Sequence, residues 1–299
     1  MDDLVKLWEK PVAEEKYMIA GWHQWADAGN ISSGLPQYLI GATGARKIGE
    51  IEPYGFYMYQ VPGMHHFLRP EIKLEEGHRK ELTLRKNEFF YTGDERKGLV
   101  IFIGEEPHLN VEGYAETFFD AAQALGVKRV AAIGGVYAAV PYDKDRNVSC
   151  VYSLRGMKEE MSRYAVKFSD YEGGASIGTY LADRAEQRGV EYLSFYGFVP
   201  AYNFSEIAEQ LQGIGMETDL RAWYELMRRF KRMFGLRLDL SDLERHSAEV
   251  TESMDDKLGE LERKYPQIRE YMDKLAQEFE ETPYDPLDDI WEQALGDVL

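Results

Sequence analysis

The sequence predicts an α/β fold, a three-layer α/β/α core with a mainly parallel sheet over residues 1–235, and an acidic helical extension over 236–299. Three observations predict it. Up to about residue 203, short apolar runs alternate with segments of helical period, the order that winds a parallel sheet with helices on both faces. Beyond Tyr202 the strand-like runs give way to helical periodicity. The net charge of −18 is also uneven: residues 241–299 hold 18 acidic and 6 basic side chains, which marks a change of character near residue 235.

Taken in order, KYMIAGW reads as a buried strand and GNISSGLPQYLIGATG as a loop and helix. ARKIGEIEP and YGFYMYQVPG read as further strands. KELTLRKNEFFYT alternates apolar with polar, as a half-exposed strand does. GLVIFIGEEP is an apolar run closed by turn residues. In VEGYAETFFDAAQALG, the apolar positions Val111, Tyr114, Ala115, Phe118, Phe119, Ala122 and Leu125 recur at three and four and define one helical face. VKRVAAIGGVYAAVP is the next buried strand, and a helix near 176–187 precedes the strand VEYLSFYGFVP. From Ser205 onward the chain reads as nearly all helix. Residues 219–234 carry the face Trp223, Met227, Phe230, Met233 and Phe234. Leu258, Leu261, Tyr265, Ile268, Met272, Leu275 and Phe279 form a heptad seam. Pro266 lies inside that seam, and proline removes a helical hydrogen bond, so it is expected to open a second helix. A last short helix is expected around Leu287, Ile290, Trp291 and Leu295.

The composition excludes several roles. The acidic balance argues against nucleic acid, which requires clustered lysine and arginine. No apolar run approaches a membrane span, and MDDLVKLWEKP is too acidic for a secretory signal. A single cysteine, Cys150, permits no internal disulfide and fits a reducing compartment, so a cytoplasmic protein is expected.

Candidate chemistry gathers where strands end. GWHQWADAGN passes from strand to helix, a place where free N–H groups hold anions. The same residues serve a plain helix cap, with Asp27 or Asn30 capping and Gly29 supplying an unusual backbone angle. Glu105, Glu106 and His108 in GEEPHLN are the right types for acid–base work, yet adjacent glutamates on a strand point to opposite faces. YEGGASIG opens a helix with Gly173, Gly174 and Ser176 but matches neither phosphate-binding glycine fingerprint, so no cofactor is expected. Gly134 and Gly135 in IGGVYAAVP point to a close backbone approach. YDKDRN places Asp143, Asp145 and Asn147 like a calcium loop, but Val148 and Leu154 stand where glycine and glutamate are required. His65 and His66 have no partner at ligand spacing, so no metal is expected. RRFKR, residues 228–232, is expected to be neutralised by the acidic helices that follow it.

Several of these stretches, in order, resemble the proteasome assembly chaperone 2 family. They are GW and DAGN (Gly21, Trp22, Asp27 to Asn30), YLI (Tyr38 to Ile40), EIEP, VPG, GEEP and GVKRVAAIGG. GGASIG, YGFVPAY and LRLDLSDLERHSAEV follow, so the resemblance spans about residues 15–250. It implies a three-layer α/β/α fold akin to nucleoside phosphorylases and related hydrolases, and the family's eukaryotic members pair with a partner and assist assembly of the proteasome α-ring. The family's eukaryotic members end in a hydrophobic-tyrosine-any tripeptide, whereas this sequence ends Asp297-Val298-Leu299. The resemblance supplies no catalytic residues.

The expectation is therefore a non-enzymatic, oligomeric protein-binding or assembly-chaperone-like protein. A homotrimer is favoured by analogy with phosphorylase-like folds. The rim residues expected to bind are Asp27, Gly29, Asn30, Glu105, Glu106 and Pro107, with Gly173, Gly174 and Ser176 opposite and with Trp22 and Trp25 as exposed anchors. The alternative is a phosphorylase-like or hydrolase-like enzyme acting on a nucleoside or small polar substrate.

Overall fold

A computed structural model describes residues 4–61, 68–209, 211–282 and 284. The first part of the chain contains β1 (Val5–Leu7), β2 (Glu15–His23), α1 (Ile31–Thr43), β3 (Arg46–Ile51), β4 (Glu71–Glu75), β5 (His78–Thr83), β6 (Glu88–Gly93), β7 (Lys97–Glu105) and α2 (Val111–Ala124). There follow β8 (Arg129–Ala138), β9 (Val148–Tyr152), the single-turn α3 (Lys158–Met161), β10 (Lys167–Phe168), α4 (Ile177–Arg188), β11 (Glu191–Tyr202) and β12 (Ile214–Gly215). The last described helices are α5 (Leu220–Met233), α6 (Ser241–Lys264) and α7 (Gln267–Glu278).

Ten strands form a large mixed sheet in the order β1-β3-β6-β7-β2-β8-β11-β9-β10, with β12 beside β11. Its centre is parallel: β2 runs parallel to both β7 and β8. The β1-β3-β6-β7 side is antiparallel. With helices flanking it, this is the three-layer α/β/α class that the alternating pattern predicts. No helix among the described residues is long and apolar enough to cross a membrane.

The chain divides into two compact units: Met1–Asp27, Ser32–Ile133 and Gly174–Leu193 make one, and Ala28–Ile31, Gly134–Gly173 and Ser194–Leu299 the other. In the first, β2 and β7 bury Met18, Ile19, Ala20, Val100, Ile101 and Phe102 completely, as near-continuous apolar runs at the centre of a sheet must be buried. The face of α2 foreseen from its spacing covers them, with Phe118 edge-on to Phe102 at 5.1 Å. In the second unit, Trp223, Met227, Phe230 and Phe234 of the predicted α5 face are buried while Met233 is half-buried, Leu226 is buried as well, and Phe230 meets Phe195 at 5.1 Å. Gly135 is required there because a Cβ would lie 1.9 Å from the carbonyl oxygen of Ala28, the close approach its sequence suggested.

Several expectations need correction. YGFYMYQVPG is not a strand over its described part: Phe56 is fully buried, and its carbonyl accepts from the amides of His108 and Leu109 instead of joining a ladder. KELTLRKNEFFYT is two strands, β5 and β6, separated at Leu84–Asn87. Residues 205–209 and 211–219 are turns and a short strand, not helix. The helical seam does break where expected: α6 ends at Lys264, Pro266 holds the cap position and α7 starts at Gln267. The helix expected at Leu287–Leu295, the pair His65–His66 and the Asp297-Val298-Leu299 ending lie outside the described residues.

Two other motifs also resolve into structure. The loop that imitates a calcium site already encloses a cation of the protein's own. Arg146 is buried, its Nη1 donates to the carbonyls of Tyr142 (2.9 Å) and Lys144 (2.7 Å), and its Nε to Asp219 Oδ2 at 2.7 Å. Within the RRFKR run, Arg228 and Arg229 are paired inside their own helix. Glu225 accepts from Arg228 at 2.9 Å and from Arg229 at 2.8 Å, and the ring of Tyr284 lies 4.7 Å from the Arg229 guanidinium.

Candidate functional site

In the first unit, the parallel pairing of β2 with β7 places His23 in register with Glu105, so both strands end together and turn away at one edge. A cleft of about 490 Å³ opens there. His23, Gln24 and Asp27 line it from the β2 side, with Glu105, Glu106, Pro107 and His108 from the β7 side and Arg85 from the link before β6.

The carboxylates at this edge are committed to the fold. Asp27 Oδ1 accepts from the amides of Ser32 (2.7 Å) and Ser33 (3.0 Å), and Oδ2 from the Ser33 hydroxyl at 2.6 Å. It thereby satisfies orphan donors at the start of α1. Burial raises the Asp27 pKa, against these hydrogen bonds and the nearby His23. Glu106 Oε1 accepts from the amide of Ile177, the first residue of α4, and Oε2 from the amide of Trp25, each at 3.1 Å. The same turn is capped by Ser176, whose hydroxyl accepts from the Thr179 amide at 3.3 Å. The dipole that could hold an external anion at YEGGASIG therefore faces the protein's own carboxylate. Glu105 points the other way, to Arg85, so the two adjacent glutamates diverge as strand geometry requires.

Below the cleft runs a buried polar chain. Trp22 Nε1 donates to the Tyr114 hydroxyl at 2.9 Å, and that hydroxyl to Asn87 Oδ1 at 3.0 Å. Asn87 Oδ1 also accepts from the Glu105 amide (3.2 Å) and lies 2.9 Å from the Tyr57 hydroxyl, while Asn87 Nδ2 has no hydrogen-bond partner among the described residues. Burial pushes both tyrosine hydroxyls to higher pKa, so they remain neutral donors. Beside them His108 is held to lower pKa by burial and then by Arg85, and its Nδ1 accepts from the Met58 amide at 3.3 Å. Among the described residues no three of His, Cys, Asp and Glu are grouped to hold a metal ion.

The rim residues foreseen from sequence are thus divided. Asp27, Glu105, Glu106 and Pro107 line the cleft, and Trp25, 70% exposed, is tied to it through Glu106. Ser176 is the buried cap of α4, and Gly173 and Gly174 are exposed just before it. Trp22 is a correction: it is fully buried among Phe102 and Phe118 and cannot anchor a partner. Gly29 and Asn30 belong to the second unit and brace the start of α5. The Gly29 carbonyl accepts from Trp223 Nε1 (3.0 Å) and the Asp219 amide (3.1 Å), and Asn30 Nδ2 donates to Thr218 Oγ1 at 2.9 Å. Gly29 has φ 65°, and a Cβ there would come within 2.9 Å of Asp219 and Val199, so glycine serves the angle and the approach together. Sequence reasoning missed Arg85, Asn87 and Gln24; the polar run Arg85-Lys86-Asn87 breaking an alternating segment was the available signal.

The PAC2 family model matches residues 21–258. No curated protein matches the chain. Among solved structures, a PAC2 family protein from Streptomyces avermitilis is 22% identical with a TM-score of 0.69, covering 86% of this chain and 99% of that one. A proteasome-assembly chaperone homologue from Mycobacterium tuberculosis is 20% identical with a TM-score of 0.66, over 80% of this chain and 94% of that one. The archaeal proteasome activator PbaB of Pyrococcus furiosus is 19% identical with a TM-score of 0.59, over 84% of this chain and 97% of that one. At these identities the likeness shows the fold.

Proposed function

Because the chain belongs to the PAC2 family, we propose that it is a non-enzymatic, assembly-chaperone-like protein that binds a protein partner at the strand-end rim. One observation carries this reading. Asp27 and Glu106, the carboxylates that a hydrolytic or phosphorolytic site would deploy at this edge, have all four oxygens engaged, by backbone or side-chain donors at the start of α1, at the start of α4 and on the turn at Trp25. What the edge offers outward is Trp25, a large exposed aromatic on a turn fixed by Glu106, the kind of residue that anchors interfaces. The relatives' description as assembly chaperones and activators of proteasomes supports a protein partner. The proposal includes a cytoplasmic location and a homo-oligomer, for which three copies is the number favoured.

The test compares wild type with Trp25→Ala for capture of a protein identified by mass spectrometry. Loss of that protein with an unchanged melting temperature supports the reading. Phosphorolysis or hydrolysis of a nucleoside that Asp27→Asn or Glu106→Gln abolishes would overturn it.

A further inference from the structure

β4 and β5 form a two-stranded hairpin that pairs with no other strand among the described residues. Their turn, Glu76 (φ 50°) and Gly77 (φ 83°), has both central residues at positive φ, the geometry that matches strand twist. Every residue of both strands is exposed. That includes Ile72 and Leu74, each 58% exposed, and Leu82 at 43%, which stands directly opposite Ile72. A lone two-stranded hairpin is marginal in water, and among the described residues no strand pairs with its outer edges. The hairpin needs a partner.

Its sequence says which one. The β4 edge reads Glu71-Ile72-Lys73-Leu74-Glu75, with charges of alternating sign on one face and aliphatic residues on the other. Paired antiparallel with itself about Lys73, it would set Lys73 against Lys73 and Glu71 against Glu75, which is repulsive. Moved to a centre at Leu74, it sets Leu74 against Leu74 and Lys73 against Glu75, twice. A centre at Ile72 does the same with Ile72 against Ile72 and Lys73 against Glu71. Opposite charges facing across strands stabilise, and like charges destabilise. Edge charges that usually block strand addition are, in this order, complementary to a second copy of themselves.

We infer that β4 pairs antiparallel with β4 of a second copy of this chain, joining two hairpins into one four-stranded sheet about a two-fold axis. The contact makes the number of copies even: a dimer, or two trimers joined hairpin to hairpin. This rests on the homo-oligomer reading above but fails separately from it.

The experiment is sedimentation velocity on the full chain. It compares wild type, Lys73→Glu, the double variant Glu71→Lys/Glu75→Lys, and an equimolar mixture of the two variants. Because the substituted side chains are exposed, all should melt as wild type does. Wild type is expected to sediment with an even number of copies. Each variant alone should show half that mass, since its edge then carries one sign of charge. The mixture should restore the full mass by pairing acidic edge with basic edge. A wild-type trimer indifferent to both variants would keep the oligomer and remove this contact. So would an unchanged mass together with faster hydrogen exchange of β4 on deleting residues 285–299, which would assign the cover to the same chain. Halved mass without rescue by mixing would also overturn the charge register.

Discussion

Replacing Arg146 by methionine should cost more stability than any surface change in this protein. The Arg146 and Asp219 side chains are both fully inaccessible and 2.7 Å apart. Removing one member of such a pair leaves an uncompensated buried charge, at a cost of about 3–5 kcal/mol. Asp219 is not wholly abandoned, because Oδ1 still accepts from the amides of Arg221 and Ala222 at 3.1 Å each as the cap of α5. The guanidinium also organises the preceding loop through the carbonyls of Tyr142 and Lys144, and those acceptors lose their donor. These losses overlap, so the expected total is about 4 kcal/mol, read by equilibrium urea unfolding. Converting Asp219 to leucine as well should recover only part. The buried charge disappears, but the cap goes with it, a loss of about 1 kcal/mol, and the loop carbonyls stay unserved. Because the arginine already fills the place of a cation, millimolar calcium should leave wild-type melting unmoved. A loss below about 1 kcal/mol for Arg146→Met, or a calcium-dependent rise in melting, would refute the account of the loop as closed around its own charge.

Three further outcomes are expected. His108 has a folded pKa below its usual 6.5, so the unfolded chain takes up its proton first as pH falls below 6.5. Its stabilising preference for the neutral ring is then present above 6.5 and declines below it, down to the lowered folded pKa; His108→Gln should flatten that part of the stability–pH curve. Glu106→Gln should speed amide hydrogen exchange at Ile177 and Trp25, which lose a charged acceptor, while exchange along α2 stays as in wild type. Deleting residues 241–299 should aggregate or destabilise the remainder, since α6 packs on α5; a truncated chain with unchanged melting would contradict this.

Where sequence periodicity had one explanation, it was legible. The run KYMIAGW sits at the parallel centre as β2, and the three-and-four spacing from Tyr114 to Ala122 is the buried face of α2. Where two structures share a period, it misled. The apolar run that opens YGFYMYQVPG belongs to a loop whose consecutive side chains turn inward, Phe56 into the core and Tyr57 into the Asn87 cluster. Alternation across KELTLRKNEFFYT hid a break that aims Arg85 into the cleft.

The candidate site divides the same way. That Asp27, Glu105 and Glu106 gather at strand ends follows from their position after apolar runs, a local property of the chain. Which of two nearby tryptophans is buried does not. Trp22 lies in β2 facing Phe118 of α2 and Trp25 lies on the turn beyond, so burial depended on which helix covers which side of the sheet. The fate of each carboxylate depended on contacts far apart in sequence, Glu106 with Ile177 and Glu105 with Arg85. Local apolar patterning fixed the elements because burial drives them residue by residue. The partners of polar groups were decided only in tertiary structure, because a hydrogen bond requires both of its ends in place.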